Sequence, residues 1–320
     1  MTEGQSMLDW QSTAFVFPGQ GSQMMGMGKD AAEQYPAARQ IFEEADDLFG
    51  MKLSQICFEG PQEMLDQTRY TQPALYVCST ALLQALRIEF PEAKPVCVAG
   101  HSLGEFTALM SAGVFSFADG LNLVKLRGQL MEAAGNHSPG GMAAVLGLDV
   151  EKVREACAAA RTQTNRTLVV ANDNCPGQIV ISGDQEALEI GMELIKAAGA
   201  KRVVPLAVSI AAHSPLMASA AEALSVEIEQ TTLQSPRIPV YGNISAAPLE
   251  SVEAIREELR LQLTEAVRWT ETVRAMMSAG VSTFVEIGSK DVLTGLIRRI
   301  DRGAKTVTVN DAEAVRSVRG

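Results

Sequence analysis

Residues 94–114 pass from KPVCVAG, a valine-rich run with the character of a buried strand, directly into LGEFTALMSAGV, an apolar helical pattern, with only His101 and Ser102 between them. A junction that short calls for a sharp strand-to-helix turn in an α/β protein. Its residues, Gly100-His101-Ser102-Leu103-Gly104, fit G-x-S-x-G, in which a serine is held exposed at the apex of such a turn. The five-residue pattern is a weak signal alone, and the strand before it with the helix after it makes it a strong one.

The same alternation runs through most of the chain, as expected for a mostly parallel sheet covered by helices. AFVFPG (14–19) reads as an opening strand ending in a glycine-rich turn, and Pro36 to Phe49 as a helix closed by Gly50. Gln72 to Phe90 reads as a long apolar helix with Pro73 in its first turn. Residues 141–207 break the rhythm. They give strand MAAVLGL, a helix from Asp149, strands TLVVAN and QIVISG, a helix from Asp184, and strand AKRVVPLAV. That β-α-β-β-α-β order is ferredoxin-like, with Asp149 and Asp184 placed as helix N-caps. The turn-forming cluster 135–141 (GNHSPGG) bounds the unit upstream, and the larger fold resumes near Ser209. A length of 320 residues accommodates such a small domain inserted into a larger one.

Composition narrows the function. A net charge of −11 argues against nucleic-acid binding, which needs a basic face. The densest basic cluster, 297–305 with Arg298, Arg299, Arg302 and Lys305, reads first as a solvated helix end. The five cysteines (Cys57, Cys78, Cys97, Cys157, Cys175) are odd in number and contain no C-x-x-C, so neither a disulfide framework nor a metal site is expected. The N-terminus has no signal-peptide pattern and no apolar run reaches membrane-spanning length, so a cytoplasmic protein without membrane contact is expected.

Ser102 becomes a nucleophile only if a neighbouring base takes its proton. Of three histidines, His101 adjoins the serine at a tight turn where successive side chains diverge, and His137 lies in the Gly/Pro cluster. His213, in VSIAAHSPLM (208–217) at a loop-to-helix junction, is the expected base. The carboxylates between serine and histidine, Asp173 and Asp184, have turn or cap explanations, so a dyad oriented by a backbone carbonyl stays open beside a triad. Arg127 has Leu123, Val124, Leu130 and Met131 as its helical neighbours. A guanidinium on so apolar a face must either snorkel out to solvent or find an anionic partner, a protein carboxylate or a substrate carboxylate gripped by two parallel hydrogen bonds. An oxyanion formed at Ser102 needs donors. The Leu103 N–H supplies one by elbow geometry, and the turn FPGQGSQ (17–23) is a source for a second.

Together FPGQGSQ (17–23), TQPAL (71–75), GHSLGEF (100–106), LRG (126–128), AHSPLM (212–217) and QLTEAVRW (262–269) resemble the malonyl-CoA:acyl carrier protein transacylases, a family that includes acyltransferase domains of polyketide synthases. The matches run in family order from about residue 14 to 310. The resemblance implies a hydrolase-like large subdomain (1–135 and 209–320) with a ferredoxin-like small subdomain (136–208) inserted. It also implies a ping-pong reaction in which Ser102 takes malonyl from coenzyme A and passes it to the phosphopantetheine thiol of acyl carrier protein. In it His213 is base and then acid, Arg127 holds the malonyl carboxylate, the amides of Gln20 and Leu103 form the oxyanion hole, and the main-chain carbonyl of Gln262 orients His213. No metal or cofactor is implied beyond the substrate and the carrier's phosphopantetheine, and a monomer is expected. Ala212 departs from the pattern, since many malonyl-selective members carry phenylalanine or serine there. A small residue implies room for a branched group such as methylmalonyl. A hydrolase of the same fold is the alternative enzyme, disfavoured by Arg127, and a non-catalytic scaffold is disfavoured by retention of Ser102, His213 and Arg127 together. The acidic carrier would dock through local basic residues, for which 298–305 is a candidate.

Overall fold

The computed structural model describes residues 8–318. Nine strands follow one another among the described residues: β1 (Thr13–Phe17), β2 (Cys97–Gly100), β3 (Gly140–Leu146), β4 (Leu168–Cys175), β5 (Gln178–Asp184), β6 (Arg202–Pro205), β7 (Val240–Tyr241), β8 (Thr283–Ile287) and β9 (Lys305–Val309). They form two sheets, one of order β7-β2-β1-β8-β9 with every neighbouring pair parallel, the other of order β4-β5-β3-β6 and antiparallel.

The parallel sheet is buried on both faces, which is why β1, β2 and β8 read as nearly continuous apolar runs. Alternate residues divide between two apolar clusters. Phe15, Phe17, Val285 and Ile287 join the cluster built on the long helix Thr68–Glu89, while Ala14, Val16 and Phe284 face Trp269 and Val273. β1 is central, and Phe17 pairs with Gly100 at the ends of β1 and β2. The glycine-rich turn after β1 and the serine turn after β2 therefore leave the sheet side by side, tied by His101 N donating to Phe17 O at 3.0 Å. The carboxyl edge of a parallel sheet is where α/β folds place their sites.

The second sheet has the ferredoxin-like order, with helices Val150–Thr164 and Gln185–Ala197 between its strands. Asp149 caps the first helix, its carboxylate accepting from Glu151 N at 3.0 Å. Asp184 occupies the N-cap position of the second, yet its carboxylate accepts from Thr167 N at 2.8 Å and so ties the start of β4 instead of its own helix. The antiparallel sheet is tied to the larger unit where Val267, in the segment before the helix Trp269–Ser278, exchanges backbone hydrogen bonds with Ala171 and Asp173 of β4, both at 2.9 Å.

Three local expectations are corrected. The long helix starts at Thr68, so Pro73 lies in its second turn, close enough to the N-terminus that the missing N–H removes a single backbone bond. The helix after Ser102 spans Gly104–Ser111 and stops short of Val114, because the left-handed Gly113 (φ 79°) ends it. The helix Phe117–His137 absorbs the first part of the expected turn cluster, and Gly135 sits within it against Ile210, where a Cβ would approach Ile210 Cγ2 to 2.3 Å. Among the described residues no helix is long and apolar enough to cross a membrane.

Candidate active site

The serine turn is built by its glycines. A Cβ on Gly100 would stand 1.9 Å from the Gly104 carbonyl carbon, and one on Gly104 would stand 2.0 Å from Phe17 O. Ser102 itself takes a left-handed backbone (φ 52°), a conformation an L-residue keeps only when its surroundings hold it. The hold is Asn243, just after β7: its Oδ1 accepts from Ser102 N at 2.7 Å, and its Nδ2 donates to Gly100 O at 2.7 Å.

His213 also has positive φ (56°) and is 3% exposed. Its Nδ1 faces two carbonyl oxygens, Gln262 O at 2.8 Å and Glu265 O at 3.2 Å. Two acceptors there place the proton on Nδ1 and leave the Nε2 lone pair free, 2.8 Å from Ser102 Oγ. Burial, then the charge of Arg127, then His101, hold the imidazole pKa down at about 3, so the ring is neutral at physiological pH and its Nε2 is free to accept a hydrogen bond. Among the described residues no carboxylate completes a triad: Asp173 accepts from Thr270 Oγ1 at 2.7 Å and Asp184 is committed to Thr167.

Arg127 is 0% exposed in the middle of the helix Phe117–His137. Its Nη2 donates to Ser102 Oγ at 3.0 Å and to Gln262 Oε1 at 2.9 Å, and its Nη1 to Gln72 Oε1 and to Met131 Sδ at 3.3 Å. Every partner is neutral, its Nε has none, and among the described residues no carboxylate forms an ion pair with it. Burial lowers its pKa to about 10, partly opposed by Glu105, so it remains a cation. It is a buried cation 3.0 Å from the Ser102 hydroxyl that forms no ion pair among the described residues.

Gln20 lies in the turn after β1, its side chain bonded to Gln72 at 3.0 Å. Neither the Gln20 nor the Leu103 N–H donates to another group among the described residues. Ala212 is 6% exposed within the large apolar cluster. His101 is turned to Asn174 (2.7 Å) and to the edge of Trp269, and His137 is exposed at a helix end. Arg298 and Arg299 end the helix Val292–Ile300 and donate to Thr306 and Gln178, which suits the solvated helix-end reading. A cleft of about 410 Å³ opens beside His213, between Arg154 and Arg161 of the small-sheet helix and Pro215, Thr264 and Glu265.

Sequence reasoning did not single out Gln72, Glu105 or Asn243. Glu105 is fully buried one turn after Ser102, and burial with the nearby Glu258 carboxyl pushes its pKa well up. Gln72 and Glu105 stood inside quoted motifs, where a polar residue in an apolar helix was the available signal. Asn243 carried none.

A serine with a carbonyl-oriented imidazole, at the carboxyl edge of a parallel sheet and beside an unpaired buried cation, defines an acyl-transfer serine enzyme of α/β type. Residues 14–317 match the family described as acyl transferase domain, and the chain belongs to that family. It is 43% identical over 304 residues to the malonyl CoA-acyl carrier protein transacylase of Bacillus subtilis, covering 94% of each chain. An acyl carrier protein S-malonyltransferase from Vibrio cholerae superposes with a TM-score of 0.93 at 41% identity, over 96% of this chain and 100% of that one. A malonyl-transacylase in complex with a type II PKS acyl-carrier protein does so at 0.93 and 42% identity, over 96% and 99%.

Proposed function

We propose that the protein is a malonyl-CoA:acyl carrier protein S-malonyltransferase that works by two displacements at Ser102. His213 Nε2 takes the Ser102 hydroxyl proton as Oγ attacks the thioester carbonyl, and the C–S bond breaks with the proton passing to the leaving thiolate. The malonyl ester on Ser102 is then attacked by the phosphopantetheine thiol of acyl carrier protein, whose proton goes to His213 and on to the departing Oγ. The amides of Gln20 and Leu103 receive the oxyanion in both steps. The carbonyls of Gln262 and Glu265 keep the Nδ1 proton in place. No metal or cofactor is needed beyond the two thiols. Arg154 and Arg161, beside the His213 cleft, suit the phosphates of the coenzyme A thioester. The small subdomain at 136–208, a monomeric state and a cytoplasmic setting belong to the same proposal.

The observation that carries this function is the Arg127 guanidinium, fully buried, surrounded by neutral partners and in contact with the nucleophile. It matches the free carboxylate that distinguishes malonyl from uncharged acyl groups, and it disfavours a hydrolase of neutral acyl chains. The test is intact-protein mass spectrometry after mixing with malonyl-CoA. One malonyl adduct is expected on the wild type, removed by addition of acyl carrier protein bearing phosphopantetheine and absent from Ser102→Ala. A wild type that stays unmodified would contradict the proposal.

A further inference from the structure

Glu105 lies on the helix that follows the nucleophile, 0% exposed, and accepts three hydrogen bonds. Its Oε1 takes Asn243 N at 2.9 Å and Asn243 Nδ2 at 3.0 Å, and its Oε2 takes Gln262 Nε2. The second N–H of each amide is also committed, Asn243 Nδ2 to Gly100 O at 2.7 Å and Gln262 Nε2 to Ser102 O at 3.0 Å. Both amide nitrogens therefore face Glu105, and both amide oxygens face the site: Asn243 Oδ1 holds Ser102 N, and Gln262 Oε1 holds Arg127 Nη2. Burial and Glu258 raise the Glu105 pKa, but three N–H donors converge on its two oxygens, which therefore serve as acceptors, and neither amide can turn over without setting oxygen against oxygen.

We propose that Glu105 is a positioning residue which, through Gln262, aims the Arg127 guanidinium beside Ser102. Arg127 is thus held through a neutral amide without a direct ion pair, and no side-chain carboxylate among the described residues pairs with it in place of a substrate carboxylate. A carboxylate in direct contact would have neutralised the same guanidinium and competed with malonyl.

Resting on the malonyl-transfer function above, the test compares Glu105→Gln and Glu105→Asp with the wild type. Each is assayed with malonyl-CoA and acetyl-CoA, and by the rate at which a fluorophosphonate probe labels Ser102, a reaction that needs no acyl carboxylate. In Glu105→Gln the new NH2 opposes one of the two amides. If Gln262 turns, it presents its NH2 to Arg127 Nη2, donor against donor. The expected result is a folded protein whose KM for malonyl-CoA rises about tenfold and whose preference for malonyl over acetyl falls by a similar factor. Glu105→Asp, which keeps an acceptor-only group, lies between it and the wild type. A general structural lesion would instead lower both substrates and probe labelling together. Wild-type selectivity in a folded Glu105→Gln, or equal losses on malonyl and acetyl, would overturn the proposal. If Glu105→Gln does not fold, Glu105→Asp decides: lowered selectivity supports the positioning role and unchanged selectivity removes it. A wild type that labels with the probe yet does not transfer malonyl would point to failure of the function itself, separately from Glu105.

Discussion

At the scale of single residues, the site works by holding groups in states they would not keep in water. His213 is the clearest case, since burial and the adjacent Arg127 cation bring its pKa from 6.5 down to about 3. Below pH 6.5 the unfolded chain binds a proton that the folded imidazole refuses until about pH 3. The stability linked to this group is complete above 6.5 and is lost as pH falls through that window. Activity follows the same sign, because the base stays unprotonated in mildly acidic solution. The acid limb of kcat/KM for Ser102 acylation by malonyl-CoA is expected to lie well below that of an ordinary histidine, with most of the rate retained at pH 5.5. A limb centred near 6.5 would show that the ring is solvated and not held neutral by burial and Arg127.

At the scale of elements, the serine turn depends on how closely the helix Gly104–Ser111 approaches the end of β1. Gly104 is the contact point, with no space for a Cβ against Phe17 O at 2.0 Å. Gly104→Ala must push the helix off the sheet, and we expect a loss of roughly 3 kcal/mol or more in stability. Urea unfolding measures it, and a wild-type midpoint would mean that the turn has room the structure denies. The same element shows what sequence can and cannot supply. The G-x-S-x-G spacing, the valine run before it and the apolar face around Arg127 are local patterns, so Ser102 and Arg127 could be picked out and the strand and helix around the serine anticipated. His213 followed from elimination among three histidines. Asn243 left no such trace: it lies 141 positions from Ser102, in an unremarkable Gly-Asn turn, and matters only because β7 pairs with β2. Gln72 became part of the site only once the helix Thr68–Glu89 crossed Arg127, a packing choice without a periodic signature. The early start of that helix was hidden for a related reason, since its first residues, TRYT, carry polar side chains and Pro73 mimics a start signal.

At the scale of the whole molecule, the site lies where two sheets of different kinds meet. The parallel sheet supplies Ser102 and the glycine-rich turn after β1, while the antiparallel sheet, tied to the larger unit through Val267 and through Asn174 to His101, brings its helix Val150–Thr164 beside the cleft at His213. The proposed polyanionic thioester would need local cations on a protein of net charge −11, and Arg154 and Arg161 line the cleft beside His213. Replacing both by Glu is expected to raise the KM for malonyl-CoA several-fold at low ionic strength, with the effect shrinking as salt is added. An unchanged, salt-independent KM would place the thioester's entry elsewhere. The most direct measurement of how the molecule works is the kcat/KM of Arg127→Ala for malonyl-CoA set against acetyl-CoA. Losing a buried, charge-assisted grip on a carboxylate should lower malonyl transfer about a hundredfold or more while acetyl transfer changes far less. Equal losses on the two substrates would contradict the role of Arg127 as the group that receives the substrate's negative charge.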